Sequence, residues 1–228
     1  AERRLGSNHR DIAVIFKCVA EIHHERGELD FARKMYEKAL SSGRTALGSF
    51  HPELALTLNK LGNLHYETQD LDKALEYYSE GLKVERAVLE ASHPHIVVTL
   101  MNIAQIHRHR GNFAAALINY TEIHALQVKT DGPSSLEVAH TLSSMGLMQY
   151  QLKAYAPAFN CYQEALRIQR DHHGSDENAD VASTLNSIGL VLFNEGVYTL
   201  SKSCFMDSLH IRRKLFGPDH RDVAILWY

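Results

Sequence analysis

The chain has 228 residues, 45% of them apolar, and a formal net charge of −3, the composition of an ordinary soluble chain. So small a charge excludes a protein that binds nucleic acid or a membrane surface through its overall field. No apolar run approaches the roughly 18 residues of a membrane span, and the start, AERRLGSNHRD, lacks the apolar core of a secretory signal.

In chain order, the first feature is AERRLG, which matches IRRKLFG at 211–217 and reads as the tail of a helix at 1–8. A ten-residue word then recurs: TLNKLGNLHY at 57, TLMNIAQIHR at 99, TLSSMGLMQY at 141 and TLNSIGLVLF at 184, spaced 42, 42 and 43 residues apart. Ile15 fills the same column one period earlier and Leu226 one period later. A fixed period of this size means a repeat architecture. It divides the chain into repeats at 9–50, 51–92, 93–134, 135–177 and 178–219, with 220–228 opening a sixth. The chain therefore reads as a stretch of a longer protein, with Trp227 and Tyr228 packed on the last complete repeat. The extra residue in the fourth spacing falls in GSDENAD, which is expected to be a loop.

Each repeat carries two helical patterns. In the second repeat Leu54, Leu58, Leu61 and Tyr66 or His65 mark one stripe, and Leu71, Ala74, Leu75, Tyr78, Leu82 and Val84 mark another. Pro52 and Pro94 suit a first helical turn, and Asp11, Glu53, Glu137, Asp180 and Asp222 sit where a helix dipole favours them. Gly27, Gly111 and Gly196 supply the stop between the two helices. A small residue (Ala20, Gly62, Ala104, Gly146, Gly189) is set to face an aromatic (Tyr36, Tyr78, Tyr120, Tyr162, Phe205) on the neighbouring helix, so that the two pack closely.

These columns, small residue, then Leu, Phe or Tyr, then Ala, then Tyr, resemble a tetratricopeptide repeat. The 42-residue unit with HPxxAxTLNxLG openings resembles the kinesin light chain type, whose extra residues lengthen the second helix and the connection. The resemblance covers essentially the whole chain. It implies an all-α, right-handed α-solenoid of stacked helix-turn-helix repeats, with a concave groove lined by the first helices. It also implies the groove residues: Lys17 and Glu21 in the first repeat; Asn59, Lys60, Asn63 and Tyr66 in the second; Asn102, Gln105, Arg108 and His109 in the third; His140, Ser144 and Tyr150 in the fourth; Asn186, Leu190, Phe193 and Asn194 in the fifth. Ser143, Leu147, Ser183 and Ser187 fall in the same columns.

An amide carries both a donor and an acceptor, so it can pair with the main chain of an extended peptide whatever its side chains; Asn59, Asn102 and Asn186 are assigned that role. The alternative is that asparagine is simply tolerated on a polar face. Lys60, Arg108, His109 and His140 tilt the middle positive against Glu67 and would set charge preference. Leu147, Tyr150, Leu190 and Phe193 make the far end apolar, either an anchor site or filling beneath a neighbouring repeat.

Other chemistry finds no support. Of the 15 histidines, His9, His51, His93 and His220 belong to the linker pattern, and the pairs elsewhere lack the three- or four-residue spacing that puts zinc ligands on one helix face. Neither a phosphate loop nor a GxSxG nucleophile elbow is present. Cys161 and Cys204 share one column and read as packed thiols. With Cys18 they are too widely spaced for a disulfide framework, which favours a reducing compartment, most simply the cytoplasm. The sequence is thus read as a non-enzymatic interaction scaffold without cofactor, binding an extended segment of a protein partner. The competing reading is an architectural spacer that uses its ends or convex face and leaves the groove empty or filled in cis.

Overall fold

The computed structural model describes residues 10–217 and 220, and among these it contains ten α-helices and no strand. They are α1 (Arg10–Glu25), α2 (Leu29–Leu47), α3 (Pro52–Glu67), α4 (Leu71–Val88), α5 (Pro94–His109), α6 (Phe113–Thr130), α7 (Leu136–Gln151), α8 (Tyr155–His173), α9 (Ala179–Asn194) and α10 (Tyr198–Phe216). The odd-numbered helices are all 16 residues long and the even-numbered ones 18 or 19, so the long period is taken up mainly in the second helix and the connection. Each even-numbered helix starts at the column Leu29, Leu71, Phe113, Tyr155, Tyr198. The expected helix tail at 1–8 and the packing of Trp227 and Tyr228 lie outside the described residues.

The chain forms two compact units, residues 1–106 and 107–228. In the first, α1 packs on α2 and α3 on α4, while α2 meets α3. Its core joins Ala20, Ala32, Tyr36 and Leu40 to Leu54, Leu58, Leu61, Leu64 and Val84. In the second, α7 packs on α8 and α9 on α10, while α6 meets α7 and α8 meets α9. One core cluster there runs from Ala158, Tyr162 and Leu166 to Val181, Leu185, Ile188 and Ile211.

The small-residue column has a steric cause. A methyl group on Gly62 would stand 2.6 Å from the Tyr78 ring, and one on Gly189 would stand 2.7 Å from Phe205. Burial of one such ring contributes on the order of 2–3 kcal/mol. His65, 4% exposed and stacked on Tyr77 at 5.3 Å, completes the stripe of α3, while Tyr66 stays partly open.

Helix ends follow the linker chemistry. Pro52 opens α3 and Pro94 opens α5; just before them, Nδ1 of His51 and of His93 accepts the N–H of Glu53 and of His95, each at 3.2 Å. These linker histidines cap helices. Ser135 and Asn178 cap α7 and α9 in the same way, and the inserted residue falls in the loop between Gly174 and Asn178. At the tip of each hairpin the chain passes through a left-handed residue: Gly27, Gly111 and Gly196 at φ between +72° and +79°, but Gln69 at +62° and Lys153 at +60°.

Candidate functional site

The residues assigned to a groove all lie on the odd-numbered helices. In the first unit, neighbouring odd helices are laced by polar pairs: Arg10 with Glu53, Glu21 with Lys60 at 3.7 Å, and His24 with Glu67 at 2.7 Å. In the second unit, His140 stands 3.6 Å from Asp180, and Asn194 Nδ2 donates to the Tyr150 hydroxyl at 3.0 Å. These are exposed pairs, each worth about 0–1 kcal/mol. They nevertheless change the expected electrostatics: Lys60 is spent largely on Glu21, whereas Arg108 is exposed on the last turn of α5.

Asn59 corrects the sequence reading. It does not offer its amide to the open face. Its Nδ2 donates to Glu85 Oε1 at 2.9 Å and to Thr99 Oγ1 at 2.8 Å, and its Oδ1 is buried. It fits because Gly81 has no side chain; a methyl there would stand 2.7 Å from Asn59 Oδ1. Lys17, one repeat earlier in the same column, is half-buried and lines a small cleft with Gly43, Glu53 and Thr57.

Asn63 is half committed, since its Oδ1 accepts the Tyr78 hydroxyl at 2.6 Å. It shares a pocket of about 130 Å³ with Tyr66, Glu67, Tyr78, Asn102 and Gln105. Asn102 is half-buried and Gln105 exposed, and neither amide makes a hydrogen bond among the described residues. Asn186 is half-buried on α9, and His109 lies exposed at the end of α5. Phe193 is 56% exposed and meets Tyr198 edge-on at 5.6 Å; Leu190 is also exposed.

A pocket of about 310 Å³ in the second unit is lined by His140, Ser143, Ser144 and Leu147 of α7, Tyr162 and Gln169 of α8, and Asp180, Ser183, Thr184 and Ser187 of α9. Ser144 and Ser187 donate to the carbonyls of His140 and Ser183, each at 3.1 Å. Burial drives the Tyr162 phenol up to about 12, against a hydrogen bond with Ser187 that pulls it down, so it stays neutral at physiological pH.

Sequence reasoning missed a column of buried polar residues on the even helices. Glu85, Gln127 and Gln169 recur at 42-residue spacing and are almost fully enclosed. The Thr141 hydroxyl donates to Gln127 Oε1 at 2.6 Å and the Thr184 hydroxyl to Gln169 Oε1 at 2.9 Å, while Glu85 and Thr99 both accept from Asn59 Nδ2. The recurring threonine was the visible half of this signal. Arg212 occupies the same column in α10, and its Nε is buried without a partner. Cys161 and Cys204 are half-buried, and burial pushes both thiols up, as packed thiols require. Among the described residues no cluster of metal-ligating side chains occurs, and no helix is long and apolar enough to cross a membrane.

The signature of the tetratricopeptide repeat family matches residues 11–87 and 95–171, and a second signature of the same repeat matches 181–222. Among solved structures, BtubC (BKLC) from P. vanneervenii is 24% identical, with 90% of this chain aligned to 82% of that one and a TM-score of 0.74. A putative kinesin light chain with nearly identical TPR-like repeats from Podosopora anserina is 13% identical, covering 91% of this chain and 98% of that one, at a TM-score of 0.76. The apo form of RapI is 17% identical over 93% of this chain and 56% of that one, also at 0.76. At these identities the likeness concerns the fold, helix-turn-helix repeats stacked in tandem. No curated protein matches the sequence closely enough to count as a relative.

Proposed function

From the premise that the chain belongs to the tetratricopeptide repeat family, we propose that it is a protein-interaction scaffold that holds an extended segment of a partner along the open face of its odd-numbered helices. Repeats of this family generally mediate protein–protein interaction and are generally non-enzymatic. The observation that carries the finer reading is the pocket beside Tyr66, where Asn102 and Gln105 keep both ends of their amides uncommitted. A main-chain N–H and C=O of an extended peptide satisfy such amides without regard to sequence.

In this reading the recognition unit is the repeat, taken as 9–50, 51–92, 93–134, 135–177 and 178–219. Asn63, Asn102, Gln105, Asn186 and Asn194 meet main chain, and Tyr66, Tyr150, Leu190 and Phe193 meet side chains. Lys17, Glu21, Lys60, Arg108, His109, His140 and Ser144 border the path, with Arg108 the main charge selector. Three separated cysteines, free among the described residues, support a reducing compartment for this scaffold, most simply the cytoplasm.

One observation favours a second reading, in which partners dock on the even-numbered helices. Phe31, Ile118, Tyr198, Leu200 and Met206 are large apolar residues more than half exposed there, Ile118 at 71%. Photo-crosslinking separates the two. Benzoylphenylalanine at position 105 or 190 should capture the physiological partner, and at 118 or 200 should not; Asn102→Ala should lower the yield at 105. Adducts confined to 118 and 200 would establish the second reading instead.

A further inference from the structure

We propose that the 310 Å³ pocket between α7, α8 and α9 receives a carboxamide, the side chain of a Gln or Asn in the bound segment. This deepens the groove reading and rests on it for the source of the ligand.

Between α4 and α5 a carboxamide already occupies the equivalent place: Asn59 binds Glu85 and reaches Thr99, admitted by Gly81. Between α8 and α9 the two polar residues of that arrangement are kept, as Gln169 and Thr184. The carboxamide is not. Its column holds Ser143, and the column of Gly81 holds Ala165, fully buried, whose methyl takes the room that Asn59 Oδ1 needs. The serine stops short and a polar void remains, open to the face on which a segment would lie.

The hydrogen-bond inventory of the void sets the ligand. Gln169 is 2% exposed and lines it. Its Oε1 is spent on Thr184, while its amide N–H groups have no acceptor among the described residues. The floor therefore asks for an acceptor. Ser143 Oγ is also buried without a partner. The Thr184 oxygen keeps lone pairs after donating, and Asp180, 3.6 Å from His140, lines the same space, so these two oxygens accept from a donor. A carboxamide supplies one oxygen and one NH₂ on the same carbon. A carboxylate satisfies Gln169 but faces Asp180; an ammonium satisfies Asp180 but leaves Gln169 unpaired, which costs about 1–3 kcal/mol in a buried place.

The test uses the whole chain, labelled with nitrogen-15, and three probes of one size: propionamide, propionate and propylammonium. Propionamide should shift the side-chain NH₂ resonances of Gln169 and the backbone amide of Thr184 in a saturable way at tens of millimolar, with the two ions at least about fivefold weaker. Ser183→Leu should abolish the effect. It copies Leu56, which fills the same column of the second repeat, and so leaves folding intact, as an unchanged thermal melt would verify. Equal binding of the three probes, tighter binding of either ion, or an effect that survives Ser183→Leu overturns the assignment. No propionamide shift while crosslinks at 105 persist would refute the pocket alone; a shift with no crosslink at 105 or 190 would leave the pocket standing and remove the groove reading.

Discussion

The joint of α4 with α5 and the joint of α8 with α9 are built on the same columns and come to opposite ends. In the first, Asn59, Glu85 and Thr99 close on one another, with Asn59 Oδ1 and Glu85 Oε2 enclosed and left without a donor. In the second, Gln169 and Thr184 pair beside a pocket of about 310 Å³ that they help to line. Two small changes account for the difference: Gly81 against Ala165, which decides whether an amide can enter, and Asn59 against Ser143, which decides whether one is available. A repeat array can thus keep its packing while choosing, joint by joint, between an internal hydrogen bond and a binding pocket.

The largest expected effect breaks the closed joint. Glu85→Ala removes the acceptor of Asn59 from an enclosed site and leaves a cavity, and should cost about 3 kcal/mol. Gln169→Ala should cost only about 1–2 kcal/mol, because the adjoining pocket lets water reach Thr184. Urea unfolding of the two variants compares them directly, and equal losses would show that the open joint is as dry as the closed one.

A titration sharpens the same contrast. Burial raises the Glu85 carboxyl above its usual range, against hydrogen bonds from Thr99 and Asn59 and the nearby His95 and His93, which pull it down. Two buried oxygens, Asn59 Oδ1 and Glu85 Oε2, have no donor, and a retained proton supplies one. With the folded value above the unfolded one, this contribution is fully present below the unfolded carboxyl range and is lost as pH rises through the folded value. Gln127 and Gln169 do not titrate, so the corresponding sites in the second unit add no such slope. Glu85→Gln should therefore flatten the decline with rising pH and stabilise the protein at pH 7. His65 works in the other direction: burial lowers it, so its contribution is present above the unfolded histidine range and lost as pH falls. The difference between variant and parent isolates Glu85. A parallel pair of pH–stability curves would mean that Glu85 is ionised in the folded protein.

This contrast also marks where the sequence stopped being legible. Helix starts, the facing small residue and aromatic, and the proline entries could be read because they recur along the chain: Gly62 with Tyr78, Gly146 with Tyr162, Gly189 with Phe205, and Pro52 and Pro94 at helix starts. The site was less legible. Asn59 and Asn102 differ by one helical position relative to the recurring threonine, about 100° around the helix, and that step carries one into a joint while the other stays at the pocket beside Tyr66. Whether an amide turns inward depends on residues 26 and 22 positions away, Glu85 and Gly81, which a face-by-face reading of a single helix does not include.

The smallest expected effect concerns the hairpin tips and treats both units alike. Gln69 and Lys153 hold left-handed backbone at φ +62° and +60°, where the equivalent residues are Gly27, Gly111 and Gly196. A side chain in that conformation costs roughly 1–2 kcal/mol, partly offset in a glycine variant by the greater freedom of the unfolded chain. Gln69→Gly and Lys153→Gly should each add about 0.5–1 kcal/mol. Both positions are exposed and lie in the turns between helices, outside the joints compared above, so the two gains should match. If Gln69→Gly stabilised and Lys153→Gly did not, the units would differ in more than their joints, and the contrast between a closed and an open amide site would need a cause beyond residues 59, 81, 143 and 165.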